Sequence, residues 1–132
     1  MNITETLWLR LSAVLSKFSE RLAILDPSLI CDLGHSRNEA FLLRAYLGFR
    51  RSDGIEEVSI TVDVQSDGMR LMIESDACKE DGTVLTTGPS AEIRLSQDMP
   101  EVQLAVDKWV CEFEQFLSIK GPELTTAVFR LV

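Results

Sequence analysis

Three groups of residues in this chain could do chemistry: a cysteine near the only histidine, a run of acids around a second cysteine, and several adjacent carboxylates. Cys31 and His35 stand four positions apart in "CDLGHS", a thiol and an imidazole of the kind that form a nucleophile and its base. His35 is the only histidine, so an imidazole base or imidazole metal ligand would have to be this residue. Two neighbours weigh against the pair. Gly34 interrupts any helix that would bring the two side chains onto one face, and Asp32 opposes the electropositive setting that a reactive thiolate needs.

The second group is "SDACKEDG", residues 75–82. A calcium loop starting at Asp76 would need an oxygen ligand where Cys78 stands, a glycine where Asp81 stands and a glutamate where Thr87 stands, so no metal is expected here. Asp, Gly and charge at "KEDG" instead suit the tip of a turn. The third group, Glu56-Glu57, Glu80-Asp81 and Glu112 with Glu114, falls at strand ends, a turn tip and a helix face. None lies inside an apolar run that would move its pKa toward that of a general acid. A glycine-rich phosphate loop, a nucleophile elbow and a basic aromatic strip are all missing from the sequence. The balance is against an enzyme, and no cofactor is expected.

The elements that carry these residues emerge from periodicity. Ile3, Leu7, Leu11, Val14, Phe18, Leu22 and Leu25 recur at three and four, an amphipathic helix over 3–25, with Asn2 and Glu5 as a capping box. Asp26 and Pro27 are good helix-start residues and predict a short helix over 27–33, ended by Gly34. From Phe41 the period becomes two. Strands are predicted at about 40–51, 55–65, 69–78 and 83–96, joined by Asp53-Gly54, Asp67-Gly68 and Asp81-Gly82, three hairpin signals spaced fourteen residues apart.

Register can be tested by pairing residues across each turn. A two-residue turn at Asp53-Gly54 pairs Phe49, Leu47, Ala45 and Leu43 with Val58, Ile60, Val62 and Val64 on one face, and Arg50 with Glu57 and Arg44 with Asp63 on the other. A two-residue turn at Asp67-Gly68 sets Val64 against Leu71 and Val62 against Ile73 inside, with Gln65 against Arg70 and Thr61 against Glu74 outside. At the third turn the same rule would turn Ala91, Ile93 and Leu95 outward, so an extra residue is predicted, as a three-residue loop or a bulge near Gly88-Pro89. Asp98 and Glu101 then cap a helix over 99–119 with Val102, Val106, Trp109, Phe113, Phe116 and Leu117 on one side, up to Gly121-Pro122. The tail, 123–132, reads equally as helix or edge strand.

The fold class is therefore α+β, a single domain over 1–132: a four-stranded antiparallel meander in the order 1-2-3-4, with N-terminal and C-terminal amphipathic helices on one face. The 132 residues carry a net charge of −8. Residues 1–52 are net +2, 53–81 net −7 and 82–132 net −3. That acidity repels a phosphate backbone and an anionic membrane surface, so neither nucleic acid nor membrane is expected as a partner. Three cysteines at unrelated spacings fit neither a disulfide framework nor a zinc site, and no leader or membrane span is evident, which predicts a cytoplasmic protein.

The outer face of the sheet is the most informative surface. It gathers Arg44, Tyr46, Asp63, Met72 and Glu74, aromatic and arginine anchors ringed by charge, and Trp8 adds an indole at the margin of its helix stripe. The expected function is a small acidic protein-binding module that docks on a protein partner, a basic one by charge, in the manner of an inhibitor, an immunity protein or a chaperone. The alternative is a small-molecule-binding protein or enzyme with a pocket between sheet and helices using Cys31, His35 or Tyr46. Leu104 and Cys111, on the far side of the last helix, leave a homodimer open.

Overall fold

The computed structural model describes residues 3–37, 41–52, 57–96 and 98–130, the side chains of 125–130 excepted. Helix α1 (Ile3–Leu25) is followed by strands β1 (Leu29–Ser36), β2 (Leu43–Arg51), β3 (Glu57–Ser66), β4 (Arg70–Lys79), β5 (Val84–Thr87) and β6 (Ala91–Arg94), and by helix α2 (Met99–Arg130). The sheet is antiparallel in the order β1-β2-β3-β4-β5, with β6 also pairing β4. The architecture is α+β as expected, but with six strands where four were predicted.

The inward row of the three central strands is apolar apart from Ser75 and the strand-end residues Arg51, Ser66 and Lys79. Leu43, Ala45, Leu47 and Phe49, with Val58, Ile60, Val62 and Val64, are all 0% exposed. Helix α1 covers this face with Leu7, Leu11, Leu15, Phe18 and Leu22, and α2 with Val102, Val106, Trp109, Val110, Phe113 and Leu117. The two helices run parallel to each other: an Arg10–Asp107 ion pair and a hydrogen bond from Arg21 to Ser118 join them. The opposite face carries no helix, and its residues are half-buried or exposed except Gly48, which the Glu57 side chain covers.

The β2–β3 register is the one expected, residue for residue, from Leu43 opposite Val64 to Arg50 opposite Glu57; the Asp53-Gly54 turn itself, like the Asn2 cap, lies outside the described residues. The β3–β4 register differs by two: Val64 faces Ile73, and Ser66 faces Leu71. Asp67 explains the difference. Its carboxylate accepts the N–H groups of Met69 and Arg70, both at 2.9 Å, and Gly68 takes a positive φ of 90°. Those bonds hold the Asp67 carboxyl down at about 2, far below the usual carboxylate range. The connection becomes a four-residue loop rather than a two-residue one. A slip of two preserves which face each side chain occupies, so the core is unaffected.

The predicted short helix over 27–33 is instead β1. Its start chemistry does form: Asp26 accepts the Ser28 N–H at 2.9 Å and its hydroxyl at 2.7 Å, and the Leu29 N–H donates to the Asp26 carbonyl at 3.1 Å. The turn goes no further because a helix of seven residues is marginal, whereas an eight-residue ladder with β2 bonds the backbone groups of every second residue and completes the β2 edge. The predicted strand over 83–96 is split. A three-residue loop closes with the Lys79 N–H on the Thr83 carbonyl, the ladder shifts between Ala77 and Cys78, and a further residue is accommodated between Thr87, opposite Asp76, and Ala91, opposite Ile73. Ala91 and Ile93 thereby face the core side. At the other end, α2 continues through Gly121-Pro122 to Arg130, so the described part of the tail is helical. Gly121 sits where the Phe18 ring leaves no room for a Cβ, and Leu124, 2% exposed, anchors the next turn. The glycine serves helix contact rather than helix termination.

The break between β5 and β6 is held by the Gly88 N–H on the Ser75 carbonyl at 2.9 Å and by one shared acceptor. Pro89 O accepts from the Ser75 hydroxyl at 2.7 Å and from the Trp109 indole N–H at 3.0 Å, linking β4, the break and α2. Removing one donor leaves the other in place, while removing both orphans the acceptor, so the costs are not additive. Ser75→Ala should cost about 1 kcal/mol. In urea unfolding, a double-mutant cycle with Trp109→Phe should show that the pair loses more than the sum of the single changes; strict additivity would mean the shared acceptor is not holding the break.

Candidate functional site

The outer face is laid out by the ladders. One row across the sheet reads Ser36, Arg44, Asp63, Glu74, and the next Gly34, Tyr46, Thr61, Asp76, Thr87. Arg44, Tyr46, Asp63, Met72 and Glu74 thus share one face, as the sequence predicts. Trp8 does not join them. It lies on α1, on the opposite side of the sheet, with its ring 4.0 Å from that of His35.

Arg44 and Asp63 form a two-pronged ion pair, Nε to Oδ1 at 2.6 Å and a second nitrogen to Oδ2 at 3.3 Å. The bond to Asp63 raises the Arg44 pKa, and the guanidinium also lies 4.1 Å above the Phe41 ring. Directly across from Asp63 stands Glu74. This juxtaposition depends on the two-residue slip at Asp67, since the tighter turn would have set Thr61 against Glu74. Like charges opposite each other in a ladder are unfavourable. Arg44 offsets Asp63, and Glu74 has no ion-pair partner among the described residues. Asp76, one row along, adds a third acid, across Thr61 from Tyr46, and accepts from the Cys78 thiol at 3.2 Å. Burial, the bond to Asp76 and the nearby acidic charge push that thiol up to about 11. The site is therefore a helix-free sheet face with an aromatic ring, an immobilised arginine and an excess of carboxylate.

The residues considered for catalysis are not assembled into a site. Cys31 and His35 both lie on β1, where four residues of extended chain separate them by about 13 Å, and the His35 ring packs against Trp8. The third cysteine, Cys111, is exposed on α2, and all three are free thiols. No group of three or more metal-ligating side chains occurs among the described residues, and no helix there is long and apolar enough to cross a membrane. Sequence reasoning missed two members of the face, Asp76 and Gly34. Asp76 shares the parity of Met72 and Glu74 and so was legible on that face in either register, whereas Gly34 is revealed only by the existence of β1.

Fold and face together define an α+β scaffold that presents an open, charged antiparallel sheet. No protein-family model matches the chain, and comparisons with curated proteins and with solved structures find no match either.

Thiol reactivity should reflect these surroundings. At mildly alkaline pH an aromatic disulfide reagent should label Cys111 well before Cys78, whose alkylation rate should rise with a midpoint near 11. Asp76→Asn removes a charge that opposes the thiolate, so it should lower that midpoint without restoring the ordinary value of 9.0, because burial is the larger cause. Equal rates for both cysteines would contradict the geometry.

Proposed function

We propose that this chain is a small acidic protein-binding module that docks a basic protein partner on the outer face of its sheet, acting as an inhibitor, an immunity protein or a chaperone. One observation carries the reading: Glu74 is held directly opposite Asp63 on a face that no helix covers. A ladder that keeps two acids side by side, with one cation on the far side of Asp63, sacrifices a little of its own stability and gains from an incoming lysine or arginine. Tyr46, 37% exposed, and the half-buried Met72 supply the apolar contact that such a surface needs around its charges. The net charge of −8 would speed encounter with a basic partner, with strong dependence on salt. The same reading places the protein in the cytoplasm, where its three free thiols are stable.

Affinity capture from native lysate, eluted over a salt gradient, should return one stoichiometric basic partner that leaves at moderate salt. Glu74→Gln should weaken that complex several-fold while leaving the fold as stable or slightly more so, at the low end of about 0.2–1 kcal/mol, because it removes the like-charge pair. Tyr46→Ala should weaken it further. A partner that binds the Glu74→Lys variant as tightly as the native chain would refute the face.

A further inference from the structure

The two edges of the sheet are built differently. On one, β5 and β6 are four residues each, interrupted by Gly88-Pro89-Ser90 and a register shift, devices that blunt a row of free backbone groups. On the other, β1 runs eight residues in unbroken register against β2, with no proline, lysine or bulge. Among the described residues nothing pairs with its far side. Ser52 N–H donates to the Ser28 carbonyl at 3.0 Å. Antiparallel alternation then turns the even-numbered residues of β1 toward β2 and aims the N–H and C=O groups of Cys31, Leu33 and His35 outward. Ile30 and Leu33, on opposite faces of the strand, are 38% and 39% exposed.

We propose that the occupant of this edge is β1 of a second copy of the chain, antiparallel about a two-fold axis at Leu33. This pairing shares Tyr46 with the docking face but is read on the pure chain, where no other protein takes part. A two-fold axis perpendicular to the sheet keeps the helices of both copies on one side and pairs odd-numbered residues with odd. Centring it on Asp32 would set two aspartates face to face, an unfavourable pair. Centring it on Cys31 or Gly34 shortens the ladder. Centred on Leu33, the pairing sets Leu33 on Leu33, Cys31 on His35, Ile30 on Ser36 and Asp32 on Gly34 of the other copy.

The last of these pairs identifies the partner. The Tyr46 ring lies across Gly34, with its hydroxyl in the space that a Cβ there would fill, so a phenol donor is held at the sheet margin above the one β1 residue that leaves room for it. In the single chain neither the Tyr46 hydroxyl nor the Asp32 carboxylate hydrogen-bonds another described residue. In the pair, Asp32 of the second copy arrives beside Gly34 and accepts from Tyr46, and the symmetry makes this bond twice. One sheet then runs through both copies, and their two outer faces lie side by side.

Sedimentation equilibrium on the full chain, from micromolar to submillimolar loading, tests this. The native chain should be a dimer. Leu33→Pro should be a monomer with unchanged far-ultraviolet circular dichroism, since the Leu33 N–H points away from β2 and its loss removes no bond within the chain. Tyr46→Phe, which deletes only the hydroxyl, should weaken association by about a hundredfold or more for two hydrogen bonds to a charged group. A native chain that stays monomeric throughout overturns the proposal. So does a dimer whose dissociation constant Tyr46→Phe leaves unchanged, as a dimer through the backs of the helices would; that variant decides the matter even where Leu33→Pro does not fold.

Discussion

Parity along the central ladders is the constraint on which everything else rests. Because the inward rows of β2 and β3 are apolar from Leu43 to Phe49 and from Val58 to Val64, and β4 adds Leu71, Ile73 and Ala77, a slip of one residue would expose those rows and bury Arg44, Asp63 and Glu74. That costs on the order of several kcal/mol for each charge that loses its hydration. A slip of two costs nothing of the kind. The chain is therefore rigidly specified as to face and loosely specified as to register, and local turn chemistry decides between the registers that parity allows.

The sequence was legible along the same line. The β2–β3 pairing could be read to the residue because hydrophobic pairs and opposite charges agreed on one register. The β3–β4 pairing was legible in its faces but not in its partners, because Asp67 reads as half of a tight turn and behaves as a cap for two backbone N–H groups. β1 was not legible at all. "PSLICDLG" carries a real helix-start signal, and only the presence of an unpaired β2 edge, a long-range fact, converts Leu29–Ser36 into a strand. The run through Gly121-Pro122 failed for a similar reason: both residues are breakers locally, but the glycine fits Phe18 and Leu124 rewards one more turn. The candidate face was legible in five of its members, while Trp8, expected at the margin of its helix stripe, lies with that helix on the other side of the sheet.

Electrostatics at the face is a consequence of that two-residue slip. It moves Glu74 from a threonine to a position against Asp63, brings Asp76 opposite Thr61, across that residue from Tyr46, and leaves one arginine to serve a row of acids. The edge chemistry originates in β1. Gly34 permits the Tyr46 ring to lie across the strand, and the ring in turn fills the outer margin of an element that the helix prediction would have removed. A single misread turn on either side of β2 or β3 thus conceals the parts of the surface most able to meet another molecule.

Site-directed photo-crosslinking in native lysate tests whether the helix-free sheet face docks a protein partner. A cysteine-linked benzophenone would be placed at position 74 on that face and, in a second variant, at position 104 on the exposed back of α2, with the native cysteines replaced. A single basic polypeptide should crosslink from position 74 and none from position 104. A heterologous crosslink from position 104 with nothing from position 74 would contradict the assignment of the face.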